Sequence, residues 1–162
     1  MKKAAACVAV AAGLLAVTTT VALASNGAGT TTTTQQARNV LLFSNPAQNP
    51  CSGAAGTVTA VAKTEKFHIT TQADGNFWVT GSAQGMVTFS PTDPSDASAS
   101  GHFATWFGES SNEKNDVQHD TGTFQLWTTD GHHVVVKMKD HLSTNANGVV
   151  TVSFSKMTLT CK

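Results

Sequence analysis

The sequence predicts an all-β domain: an antiparallel meander of about seven strands, a barrel in preference to a sandwich, stapled by one disulfide. Threonine, serine, valine and phenylalanine are abundant while only 12% of the residues are charged, a composition that suits strands. Asp74-Gly75, Asp130-Gly131 and Asn147-Gly148 each sit between β-like runs, the sequence form of a hairpin. No segment of comparable length shows a helical period. Long sequential strands joined by tight turns favour a barrel, because a flat sheet of that width leaves one apolar face wet.

The N-terminus carries an export pattern. Lys2 and Lys3 precede the apolar stretch Ala4 to Val17, and Ala22-Leu23-Ala24 supplies the small-x-small pattern cut by signal peptidase. Residues 1–24 are therefore read as a signal peptide, and the mature chain as secreted and extracellular. Thr18 to Thr20 interrupt the apolar stretch, which is short for a membrane span. Cleavage leaves 138 residues, the size of one domain, with eight basic against ten acidic groups. A net charge of −2 argues against nucleic acid, and against a membrane, as partners of the mature form.

Cys7 departs with the signal, which leaves Cys51 and Cys161 as a pair in an oxidising compartment. Their separation is unlike the spacing of a redox or zinc motif, so a structural bridge is expected. Residues 25–38, with the run Thr30 to Thr34, have little apolar surface to bury and are expected to form a flexible Thr/Gly-rich leader. The domain then spans 39–162, with strands near 39–44, 57–71, 76–90, 101–109, 118–128, 132–144 and 149–161.

Turn length sets the register, because a one-residue slip flips a whole strand. A three-residue loop at Ala73-Asp74-Gly75 places Ile69 opposite Val79 and Val61 opposite Val87. Val61, Phe67, Ile69, Phe77, Val79, Ala83, Val87 and Phe89 then share the core face. The same loop at Thr129-Asp130-Gly131 pairs Leu126 with Val134 and Phe124 with Val136. Gln125, His133, Lys137, Lys139 and His141 fall outside. A loop at Ala146-Asn147-Gly148 pairs Leu142 with Val152. The last strand changes phase between Phe154 and Met157, which predicts a β-bulge near Ser155-Lys156.

No GxSxG elbow, HExxH motif, phosphate-binding glycine loop or EF-hand series is present. The chemistry must be sought in residues out of character with their strand face. Lys63 and Glu65 share the phase of Phe67 and Ile69, and Asp140 shares that of Val136 and Met138. A charge on an inward face is costly unless paired or wet. Glu65 and Asp140 are therefore candidate pocket carboxylates, with a bulge or a sheet end as the alternative. In GHFATWFG, from Gly101 to Gly108, Phe103 and Phe107 share one face while His102, Ala104 and Trp106 share the other. One face is core, and the other can stack on a sugar or an apolar ligand. His102, Trp106 and Trp78 are the aromatic candidates. Six histidines do not visibly converge, so neither a metal nor a cofactor is expected.

The order NPC (Asn49 to Cys51), FWVTG (Phe77 to Gly81), GHFATWFG, HLS (His141 to Ser143), VSFSK (Val152 to Lys156) and a near-terminal Cys161 resembles an uncharacterised family of small secreted actinobacterial β-rich proteins. The resemblance spans residues 43–161. It implies secretion and a single compact domain, and transfers no activity, ligand or site residue.

The function expected is a non-catalytic binding module for a small molecule or glycan, using a barrel interior or the Trp78/Trp106 surface. A small barrel enzyme of isomerase or cyclase type, using Glu65, Asp140 or His102, is the first alternative. A structural envelope protein is the second. Cavity geometry separates them: converging interior carboxylates favour catalysis, and a filled interior with exposed tryptophans favours surface binding.

Overall fold

The computed structural model describes residues 22–26 and 29–162; most of the expected signal peptide lies outside these. The strands are β1 (Ala22–Asn26), β2 (Thr30–Ala37), β3 (Val40–Gln48), β4 (Ala55–Thr71), β5 (Phe77–Pro91), β6 (Ala99–Ser111), β7 (Asn115–Thr128), β8 (His133–Asn145) and β9 (Val150–Cys161). All pair antiparallel in one sheet, ordered β1-β2-β4-β5-β6-β7-β8-β9. The sheet curls into a half-barrel. β5 occupies one edge of β4, and the other edge is shared end to end by β2, against residues 65–71, and β3, against residues 55–62.

The expected flexible leader is corrected here, since Thr30–Ala37 is strand β2. It is held between β1 and β4 by backbone pairing on both sides, for which β-branched side chains matter more than apolar burial. The hydroxyls of Thr32 and Thr70 bond at 3.2 Å, and the Thr34 hydroxyl lies 2.9 Å from His68 Nδ1.

All three hairpins have the expected three-residue loops. Gly75, Gly131 and Gly148 adopt φ of 86°, 94° and 72°, left-handed geometry that costs other residues more. Ile69 faces Val79, Leu126 faces Val134 and Phe124 faces Val136. Two details of register differ from expectation. The β4–β5 pairing shifts between Ala62 and Thr64, so Val61 faces Met86 and Ala60 faces Val87. Lys63 is the extra residue of this bulge and is exposed, which corrects its inward placement. Ala60 and Ala62, not Val61, enter the core. In β9 the irregularity lies beside the turn, at Thr151 and not at Ser155-Lys156. Leu142 consequently faces Ser153, while Val152 and Phe154 turn outward.

Hydrophobic side chains fill the disulfide end of the half-barrel. Ala60, Val87, Phe89, Phe103, Phe124, Leu126 and Val134 are buried there. Phe43 reaches across from β3, its ring 6.3 Å from that of Phe124, which stacks on Phe103 at 5.5 Å. The Cys51–Cys161 bridge, with Cα atoms 5.6 Å apart, ties the turn before β4 to the end of β9. The Asn49 side chain shapes that turn by accepting the Cys51 N–H at 2.9 Å.

Candidate functional site

Strand alternation sends every second side chain to the outer face, and this face gathers all three tryptophans. Trp78 on β5, Trp106 on β6 and Trp127 on β7 are 41%, 42% and 49% exposed. Register explains the company each keeps. Gly108, His119, His141 and Phe154 are successive cross-strand partners from β6 to β9. Trp106 leans over Gly108, where a Cβ would come within 2.8 Å of the indole. The result is a ladder of rings. Trp106 stacks on His119 at 5.5 Å, His119 on His141 at 5.5 Å, and His141 lies 6.4 Å from Phe154. The Lys139 ammonium sits 5.9 Å from the Phe154 ring centre, within cation–π range. Nearer the disulfide, Trp127 stacks on His133 at 4.7 Å and meets the edge of His102 at 6.2 Å.

Between these aromatic groups the outer face is hollowed. A groove of about 450 Å³ has Thr121 and Thr123 on its floor and Trp106, Lys137 and Lys139 on its walls. A smaller one of about 210 Å³, bordered by Lys66, Ser82 and Gln84, meets it at Ala104-Thr105. Short side chains in the middle strands and long ones on β4 and β8 produce the trough.

The inner face carries the carboxylates. Glu65 faces Ala83, and burial pushes its carboxyl above the usual range. Asp140 lies directly opposite Asp120. Burial first, then the Asp140 charge, raises Asp120, while nearby His119 offsets part of the rise. Glu109 on β6 is raised by burial and by the charges of Asp116 and Asp120.

Glu65 and Asp140 thus share a face but stand on β4 and β8, with β5, β6 and β7 between them. Neither lines a groove described above. His102, Trp106 and Trp78 share the outer face, where Trp106 borders the trough, His102 abuts Trp127 and Trp78 lies between Thr70 and Ser110. Among the described residues, no group of three or more His, Cys, Asp or Glu is gathered to hold a metal ion. Sequence reasoning missed Trp127, His119 and Lys66. Trp127 shares the parity of Gln125, and His119 that of Thr121, so strand alternation alone was enough to find both.

Comparison with protein-family models, with curated proteins and with solved structures finds no match.

Proposed function

We propose that the chain is a secreted, non-catalytic binding module that takes an extended glycan across the outer face of its sheet. The observation that carries this reading is the exposure of all three tryptophans on that one face while the disulfide end of the interior is filled with side chains. Trp78 lies four residues along β5 from Ser82, the partner of Trp106. Trp127 lies six residues along β7 from Thr121, the partner of Trp106 on the other side. At the usual rise of a strand the three rings mark a diagonal with steps of about 14 Å and about 20 Å. That span suits a polymer better than a single sugar. Threonine, serine and glutamine side chains between the rings offer the hydrogen bonds that such a ligand needs, as in other mixed aromatic and polar sites.

The test is affinity electrophoresis through gels containing soluble polysaccharides, with tryptophan fluorescence as the second readout. Trp106→Ala and Trp127→Ala should each abolish most of the retardation and leave the melting temperature nearly unchanged. Retardation equal to wild type in the triple variant Trp78→Ala/Trp106→Ala/Trp127→Ala would refute the reading.

A further inference from the structure

We infer, building on the glycan reading above, that the ligand is an acidic polysaccharide, one whose sugars carry carboxylate or sulfate groups. The basis is a layering of charge by strand face that the near-zero net charge conceals. Lys66, Lys137, Lys139 and Lys156 project to the outer face, as the partners Ser82, Thr123, Thr121 and Lys139 require. Every carboxylate within a strand, Glu65, Glu109, Asp116, Asp120 and Asp140, has the opposite parity and turns inward. The remaining acidic residues, Asp74, Asp93, Asp96, Glu113 and Asp130, lie in the connections at the ends of the sheet. The trough is therefore bordered by three lysines and no carboxylate. Among the described residues none of the four outer lysines has a carboxylate within ion-pair distance; the one pair is His132 with Asp130, at 3.9 Å in a turn.

Lys139 and Lys156 are direct cross-strand partners, with Lys137 on the same face. Like charges placed opposite one another in a sheet destabilise it. Here no neighbouring carboxylate relieves them, and an anion seated between them does. Lys66 stands across the trough, four strand spacings or about 19 Å from Lys139, with Trp106 between. A chain with anionic groups at intervals can touch both banks while a sugar ring meets the indole.

Single-stranded nucleic acid fits less well. Its bases stack on closely successive aromatic faces, whereas the three indoles here stand about 14 Å and about 20 Å apart along the sheet, at the usual rise of a strand. Anionic lipid needs a contiguous apolar surface to enter the bilayer boundary, and the outer face is interrupted by hydroxyls throughout β4, β5 and β7.

The experiment is a fluorescence titration of the mature protein with polygalacturonate, dextran sulfate and neutral dextran, at about 10 mM and about 150 mM salt. Over that range the screening length falls from roughly 30 Å to roughly 8 Å. Lys137→Glu/Lys139→Glu and Lys66→Glu are compared with wild type. The expected result is binding of the acidic polymers and not of dextran. Salt and the double charge reversal should each weaken it by about tenfold or more, as for other contacts made through charge. Should the reversal variant fold poorly, Lys137→Gln/Lys139→Gln and the salt dependence of the wild type report the same property. Equal binding of dextran overturns the acidic assignment and leaves the binding-module reading intact. Failure to bind any of the three polymers overturns both. Tighter binding of oligothymidylate, or of vesicles rich in phosphatidylglycerol, overturns the glycan assignment.

Discussion

Replacing Cys51 and Cys161 together by serine should lower the thermal midpoint by roughly 15 °C. The bridge joins residues 110 apart in the chain, and the loop-entropy relation assigns such a closure about 4.8 kcal/mol at room temperature. Unfolding entropies near 2.1 cal/mol/K per residue convert that loss into the stated shift for a domain of this size. It is also a large share of the roughly 5–15 kcal/mol that holds a typical domain together. The bridge is well placed to act globally: Cys51 packs against the core cluster, and Cys161 pairs with buried Val134. Differential scanning calorimetry of the double variant, with intact mass to verify the bridge in the wild type, measures the effect. A fall of only a few degrees, with faster amide exchange confined to β9, would refute this reasoning. The bridge would then be pinning one edge strand and not constraining the unfolded chain.

Gly131→Val should destabilise by about 1–2 kcal/mol, the cost of forcing a side chain into the left-handed region that Gly131 occupies at φ 94°. An unchanged urea midpoint would contradict the turn geometry. The inner carboxylates make a prediction about pH. Glu65, Glu109 and Asp120 are raised above ordinary values of 4.5, 4.5 and 3.8, so the native state holds these protons more tightly than the unfolded chain. Their contribution to stability falls as pH rises through the raised pKa values, and it recovers on acidification towards the ordinary ones. Below about pH 3.8 the trend reverses, because Asp93 and Asp130 are held down chiefly by hydrogen bonds from Ser95 and Thr128. Asp120→Asn should accordingly stabilise the fold at pH 7, by less than about 1 kcal/mol for a solvent-screened cross-strand pair, seen as a raised midpoint, and flatten the rise towards pH 4.5. Melting curves for both proteins at the two pH values decide it. A midpoint lowered at pH 7 would mean that the charge is satisfied by something other than its neighbours.

The fold was largely legible because turn chemistry and side-chain parity speak with one voice. Gly75 and Gly131 dictated the loop length, and the loop length dictated which of Ile69, Leu126 and Phe124 met which valine. The sequence announced one irregularity, through the phase change of the last strand, but not its place at Thr151, and it did not mark the bulge at Lys63. Lys63 and Thr151 are ordinary residues, and a bulge sits where neighbouring strands need an extra residue, a position that the local pattern does not fix. Val61 looked like core for this reason, although the smaller Ala60 and Ala62 occupy the crowded position. Thr30 to Thr34 misled for a different reason: a strand paired on both sides, here with β1 and β4, is held by its backbone hydrogen bonds, and its apolar content says little about it. At the site, His102, Trp106 and Trp78 could be assigned to one face by parity. The sorting of lysines from carboxylates became visible only when every strand was placed on a common sheet.

The bulge at Lys63 has a bearing on how this chain tolerates changes of length. In β5 through β8 every residue is committed to one face by neighbours on both sides, so inserting or deleting one would exchange inside for outside as far as the next turn. At Lys63 the parity of β4 is already reset, and across from it the chain between β2 and β3 breaks at Arg38 and Asn39, the latter at φ 55°. Slack in both partners coincides there. Of the two, the Arg38-Asn39 break takes no part in the strand pairing, so a residue added there leaves the register of β4 against β5 unchanged, which makes it a place in the sheet where a loop or a label can be spliced in.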